Sequence, residues 1–212
     1  MDSAAVTIAS IEIADPAQAW RDAGFTVDAD GDCRVGGVRL RLTGPASGDG
    51  IVGWSLRGVP ASLGEVDGIA TSPSDDPPPT PAEHPNGVTS IDHVVVLSPD
   101  LDRTVTALRA LGVEPRRERE GRLAGHPIRQ VFFRFGEVII EAVGAPDTRA
   151  EGPASLWGIT YVVADIDATA ERFGDRTSPV KDAVQPGRRI TTLRHRDFGM
   201  SVCTAMISAP IL

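Results

Sequence analysis

One structural unit recurs along this chain, and a pair of residues suited to bind a metal survives in only one of its copies. The clearest copies begin at His93-Val94-Val95-Val96-Leu97-Ser98-Pro99-Asp100-Leu101-Asp102 and at Gly158-Ile159-Thr160-Tyr161-Val162-Val163-Ala164-Asp165-Ile166-Asp167. They align without a gap, because Asp-Leu-Asp and Asp-Ile-Asp follow a β-branched run at the same distance. A fainter copy opens the chain, where residues 10–15 match 160–165 and Gly24 falls opposite Gly174. A repeat of this period constrains the fold before any single element does.

Each copy reads as strand, helix and further strands. In the middle copy, 91–97 is a valine-rich run of strand length, and Ser98-Pro99-Asp100 supplies a cap with Pro at the helix start. Leu101, Val105, Leu108 and Leu111 then form one apolar stripe before Gly112. Strands are expected at 113–120, 128–135 and, after a Gly136-Glu137 corner, 138–143. The last copy repeats βαβββ with 159–164, a helix over 165–173, then 179–184, 189–195 and 200–206. The first does so with 7–14, a helix through Trp20 to Ala23, then 25–28, 34–43 and 51–59. The expectation is an α+β protein with three βαβββ modules, the last two paired into a cup-shaped mixed sheet with helices on its outer face.

An Ile-Asp-His-Val-Val-Val strand, a helix, and three strands ending in Val-Ile-Ile-Glu resemble the vicinal oxygen chelate superfamily, which includes glyoxalase I, extradiol dioxygenases and bleomycin-resistance proteins. The resemblance implies that two modules curl around a small ligand, often with a divalent metal at the floor. It covers residues 88–207, with weaker support for 4–60.

The 212 residues divide into a degenerate module (1–60), a Pro-rich linker (61–87) and a glyoxalase-like pair (88–207, as 88–144 and 155–207). The linker contains Ser72-Pro73-Ser74-Asp75-Asp76-Pro77-Pro78-Pro79-Thr80-Pro81 and is expected to be extended and exposed. A net charge of -8 argues against nucleic acid or an anionic membrane as partner. There is no membrane-length apolar run and no signal-peptide pattern, and Cys33 and Cys203 read as reduced thiols in different modules, so a cytoplasmic location is expected. Lys181 is the only lysine among 21 basic residues, a codon bias expected of a GC-rich bacterial genome. Ile11, Ile13, Val38, Leu40 and Leu42 have no evident partner module in the chain, which favours a homodimer.

The resemblance implies four metal ligands, one His or Gln on the first strand and one Glu on the last strand of each module. His93 and Glu141 occupy two of those places, and imidazole with carboxylate suits Fe, Mn, Ni or Zn. Gly158 stands opposite His93, and Thr204 opposite Glu141 when Gly136 is set against Gly199. The first module offers Ile8 and Ser55. His126 and His195 are further candidates, each at or beside an expected strand end and needing to turn inward. At most a weakly bound divalent metal is therefore expected, and more simply none. Gln130, Phe132 and Arg134 alternate on one strand face and suit a small-molecule pocket, which Trp157 could wall. The plain alternatives are that the phenylalanines are core and that Arg134 pairs with Glu141. Arg188, Arg189, Arg194 and Arg196 read as a solvated edge or an anion site, and Arg116-Arg117-Glu118-Arg119-Glu120 as an exposed edge.

No Gly-x-Gly-x-x-Gly, phosphate loop, Gly-x-Ser-x-Gly, His-Glu-x-x-His or Cys-x-x-Cys occurs. Three functions stay open: an isomerase, lyase or dioxygenase using His93 and Glu141 as catalytic residues; a sequestering or resistance-type binder using the same cup without metal; and a scaffold built on the extra module.

Overall fold

The computed structural model describes residues 5–123 and 125–210. The N-terminal half contains β1 (Thr7–Ile13), α1 (Ala17–Asp22), β2 (Asp32–Val35), β3 (Val38–Leu42), β4 (Ile51–Arg57), β5 (Glu65–Val66) and β6 (Ile69–Pro73). The C-terminal half contains β7 (Val88–Leu97), α2 (Leu101–Arg109), β8 (Arg117–Leu123), β9 (His126–Phe135) and β10 (Val138–Gly144). It continues with β11 (Ser155–Val163), α3 (Ile166–Phe173), β12 (Lys181–Asp182), β13 (Arg189–Thr192) and β14 (Cys203–Ser208). The fold is α+β.

The C-terminal half is the expected pair of βαβββ units in one sheet, ordered β12-β13-β14-β11-β7-β10-β9-β8. The shared Asp-x-Asp register is a helix-capping device. Asp100 accepts the Arg103 amide at 3.1 Å, and Asp165 accepts those of Asp167 and Ala168 at 2.9 and 3.1 Å. The two first strands, β7 and β11, run antiparallel with His93 opposite Thr160, Val94 opposite Ile159 and Val95 opposite Gly158. That ladder is symmetric when 93 is superposed on 158 and 95 on 160, so Gly158 holds the place of His93. Each strand carries a bulge at the symmetric place, Asp92 on β7 and Trp157 on β11. The last strands shift one alignment. Glu141 lies beside Val95, and Ala205 beside Thr160, so Ala205 is the counterpart of Glu141. Thr204 is one residue off and turns into the core, because Ala205 lies one residue further from Gly199 than Glu141 does from Gly136.

The N-terminal half departs from the expected βαβββ order. Strand β4 does not close the first module: it pairs antiparallel with β1, on the side away from β3. It begins a second, shortened unit, in which β6 runs parallel to β4 and β5 runs antiparallel to β6. The β5–Asp67-Gly68–β6 hairpin repeats β2–Gly36-Gly37–β3, and the helix is missing. Strands therefore occupy part of the segment expected to be a linker, and 25–28 is coil. In the β1–β4 ladder the symmetric centre is Ile11 opposite Trp54. This places Ser10, not Ile8, at the His93 position and Arg41, not Ser55, at that of Glu141.

The two sheets stack through their apolar faces into one core. Ile11, Ile13 and Leu40 are 0% exposed within the chain, Trp54 stacks on Phe135 at 5.9 Å, and Phe25 meets Tyr161 at 5.3 Å. Stacked aromatic faces of this size dominate the packing energy. The strand faces invoked for a homodimer are thus covered from within, and that argument loses its premise. Leu101, Val105 and Leu108 turn α2 into the same core, away from the cup. Both cysteines are free thiols, with Cys33 buried. Among the described residues no helix is long and apolar enough to cross a membrane.

Candidate functional site

His93 and Asp92 are neighbours on β7 and would normally face opposite sides of the sheet. The bulge at Asp92 changes this, re-aiming its carboxylate so that Oδ2 meets His93 Nδ1 at 2.8 Å. The other oxygen, Oδ1, accepts from Arg188 Nη1 at 2.5 Å, and both side chains are about 8% exposed. Arg188 is fixed in turn by Ser208 O at 2.8 Å and Gln185 Oε1 at 2.5 Å. Burial by itself would raise the Asp92 pKa, but hydrogen bonds and charge from His93 and Arg188 hold it below the usual carboxylate value. Asp92 is an anion that orients His93 and leaves Nε2 facing Glu141, whose Oε2 lies 3.5 Å away.

Glu141 is oriented from its other side. Gln130 Nε2 donates to Oε1, and Arg119 donates to Gln130 Oε1 through Nε at 2.9 Å and Nη2 at 2.6 Å. The arginine fixes which end of the amide faces the carboxylate. The strand ladder lays these groups out in rows. His93, Ile139 and Arg134 form one row, and Val95, Glu141, Phe132 and Arg117 the next.

All of these but Val95 and Gln130 line a cavity of about 380 Å³. His93, Glu141, Phe132, Arg134 and Arg117 come from one module, while Ile190, Ile207 and the β12–β13 turn at Ala183-Val184-Gln185 come from the other. The structure brings His93, Glu141, Gln130, Phe132 and Arg134 onto one face. Trp157 is 46% exposed at its bulge and is not among the lining residues. Glu141 bonds to Gln130, and no ion pair joins it to Arg134 among the described residues. Asp92 escapes the sequence reading, Arg117 and Arg119 read there only as part of an exposed edge, and Arg188 reads as an anion site or a solvated edge and not as the partner of Asp92. The Arg-Glu alternation on β8 held a usable signal, because period two sends Arg117 and Arg119 to the cup and Glu118 to the opposite face, where it pairs with Arg129 at 3.1 Å.

The donor set does not fit a resident divalent ion. Of the four places, Gly158 and Ala205 contribute no side-chain ligand, and a Cβ at Gly158 would meet Cys203 O at 2.8 Å. One Glu141 oxygen already accepts from Gln130. His126 is exposed at the start of β9 and His195 lies in a 3₁₀ turn, and neither lines the cavity. Two protein ligands fall short of the three or four that hold such ions tightly.

Residues 92–192 match the family model described as "Glyoxalase/Bleomycin resistance protein/Dioxygenase superfamily", and this part of the chain is similar to that superfamily. A mutant 4-hydroxymandelate synthase from Streptomyces coelicolor is similar over 97% of this chain and 94% of its own, at 17% identity and a TM-score of 0.67. Homoprotocatechuate 2,3-dioxygenase from Arthrobacter globiformis aligns over 98% of this chain and 80% of its own, at 12% identity and a TM-score of 0.60. Both likenesses run through the N-terminal half and show the fold. Methylmalonyl-CoA epimerase from Mycobacterium tuberculosis aligns over 58% of this chain and 91% of its own, at 21% identity and a TM-score of 0.46. No curated protein matches the chain by sequence.

Proposed function

We propose that this protein catalyses a metal-independent proton transfer on a small carbonyl compound, as an isomerase or lyase. The observation that carries the reading is that His93 and Glu141 meet at the cavity floor and each is oriented from behind, one by Asp92 and Arg188, the other by Gln130 and Arg119. A binding site alone has no need of such support. Glu141 Oε2 removes a proton from the carbon next to the carbonyl, and the electron pair moves onto the carbonyl oxygen. His93 Nε2, with the ring held by Asp92 on Nδ1, donates to that oxygen. The enol then returns its oxygen proton to His93 as the carbon takes a proton back from Glu141, or as a leaving group departs from the adjacent position with the Glu141 proton. Atoms balance without a metal or an oxidant.

Proton exchange tests the reading. The wild-type protein in D₂O is expected to exchange the acetyl protons of 4-acetylbenzoate, followed by proton NMR, with Glu141→Gln slower by about a hundredfold or more. Equal exchange by wild type and variant refutes the assignment of Glu141. Binding of the probe without exchange refutes catalysis and leaves a sequestering protein.

A further inference from the structure

We infer that the ligand carries an anionic group, a carboxylate or phosphate, held by Arg117 and Arg134 at the far side of Phe132 from the reacting carbon. The inference rests on the cavity being the ligand site and names the class of ligand that the proposed chemistry takes.

The chain is acidic overall, at -8, yet the wall of this cavity is basic. Arg116, Arg117, Arg119 and Arg134 line it, and Glu141 is the one acidic lining residue. Most of these guanidiniums are uncommitted. Arg119 is spent on Gln130, but Arg116, Arg117 and Arg134 pair with no carboxylate among the described residues. Arginines on other faces do find acids, as Arg129 does with Asp102 at 2.7 Å and Arg189 with Asp167 at 2.6 Å. The acids of β8 do not help, because Glu118 lies across the sheet on Arg129. Like charges gathered at a partly apolar mouth repel one another unless an anion joins them, and they draw anions from solution.

The ladder gives the distance from that anion to the reaction. Arg117 stands opposite Phe132, and Phe132 opposite Glu141, so two strand spacings of about 4.8 Å separate the Arg117 and Glu141 backbones. Arg134 shares its row with Ile139 and His93. A group bound between the two guanidiniums therefore sits about one aromatic ring away from the Glu141 carboxylate, with Phe132 beneath the span. Arg119 lies over the Phe132 ring at 6.0 Å and stiffens that surface. The opposing wall, Val184, Ile190 and Ile207, is apolar. An anion at one end, an apolar middle and a carbonyl at the other describe the ligand.

Isothermal titration with 4-acetylbenzoate, its neutral methyl ester and 4-acetylphenyl phosphate tests this. The wild-type protein is expected to bind the acid at least about tenfold more tightly than the ester, with the preference shrinking as salt is added. Arg117→Ala with Arg134→Ala is expected to lose about tenfold for the acid while leaving the ester within about twofold. Both side chains are exposed, so folding is not at stake. Arg109→Ala on α2, which removes the same charge elsewhere, is expected to change neither. A stronger preference for the phosphate supports the inference and fixes its source as a phosphate ester; a stronger preference for the acid fixes a carboxylate. Equal binding of acid and ester, parallel loss of both in the double variant, or no binding of any probe at millimolar concentration overturns it. Anion-selective binding without deuterium exchange supports the inference and refutes the proton-transfer reading alone.

Discussion

Replacing Asp92 by Asn tests the most buried electrostatic contact of the site. Asp92 and Arg188 are each about 8% exposed and meet at 2.5 Å, with His93 on the other carboxylate oxygen at 2.8 Å. Asparagine keeps the shape and one acceptor oxygen but removes the charge, so Arg188 stays buried as a cation facing only neutral acceptors, the amide, Gln185 and Ser208. Breaking a buried pair by neutralising one partner costs about 3–5 kcal/mol, and the retained amide acceptor favours the lower figure. For a chain of this length about 3 kcal/mol corresponds to a fall in Tm of roughly 6–12 °C. The second variant in the cycle, Asp92→Asn with Arg188→Met, removes both charges and is expected to recover much of the loss.

The pH dependence has a definite sign. The folded pKa of Asp92 lies below its ordinary value of 3.8, so folding favours the ionised form. Its contribution is complete above 3.8 and is lost as pH falls through the lower folded value. Urea unfolding of wild type and Asp92→Asn, followed by tryptophan fluorescence, should show a full gap at neutral pH that closes only in the acid range below 3.8. A variant within about 0.5 kcal/mol of wild type, or a gap indifferent to acid, refutes the reasoning.

After extensive dialysis the protein is expected to carry well under one divalent ion per chain by elemental analysis, because His93 and Glu141 are the only ligands of the four in place; a stoichiometric ion at that pair contradicts this. Trp54→Ala is expected to cost about 3–5 kcal/mol in chemical unfolding, since Trp54 is 1% exposed and stacked on Phe135 between the sheets; a cost below about 1 kcal/mol would mean that the halves do not share a core. Light scattering at micromolar concentration is expected to give the mass of one chain, because the apolar faces of β1 and β3 are covered internally; a dimer of constant mass on dilution disproves it.

What the sequence revealed follows from how local each signal is. The Asp-x-Asp caps, the valine run of β7 and the strand ending in Glu141 act over a few residues, and they placed the C-terminal pair correctly. The partner of a strand is not a local property. Ile51–Arg57 has the same pattern whether it closes one module or opens another, so only the ladder shows β4 to be a first strand. The hairpin at Val66-Asp67-Gly68-Ile69 carried the Asp-Gly turn signal between apolar residues, but two-residue β5 and the prolines nearby hid it. At the site, alternation identified Gln130, Phe132 and Arg134. Asp92 needed the bulge, and Arg188 meets Asp92 across 96 residues of chain, a separation no spacing rule reaches.

The N-terminal half shows what becomes of such a cup when its chemistry is absent. Its polar face carries Ser10 and Arg41 where the other half has His93 and Glu141, together with Arg34, Arg39 and Arg57. Guanidiniums are donors only, and the segment 74–82 is rich in prolines, which lack the amide donor but keep the carbonyl acceptor. The two match. Arg39 donates to Pro77 O at 3.1 Å, Arg57 to Asp76 O at 2.5 Å and Arg34 to Thr80 O at 2.6 Å, while the Asp76 carboxylate faces Arg41 at 3.6 Å. The segment thus closes this cup with carbonyls and one carboxylate, and these arginines find acceptors within the chain, although Arg57 Nη2 is left without one. Among the described residues no segment plays that part in the C-terminal cup. Arg116, Arg117 and Arg134 stand over an open cavity, and where the Pro-rich segment supplies acceptors to one half, solvent supplies them in the other and leaves the place open to the anionic ligand inferred above.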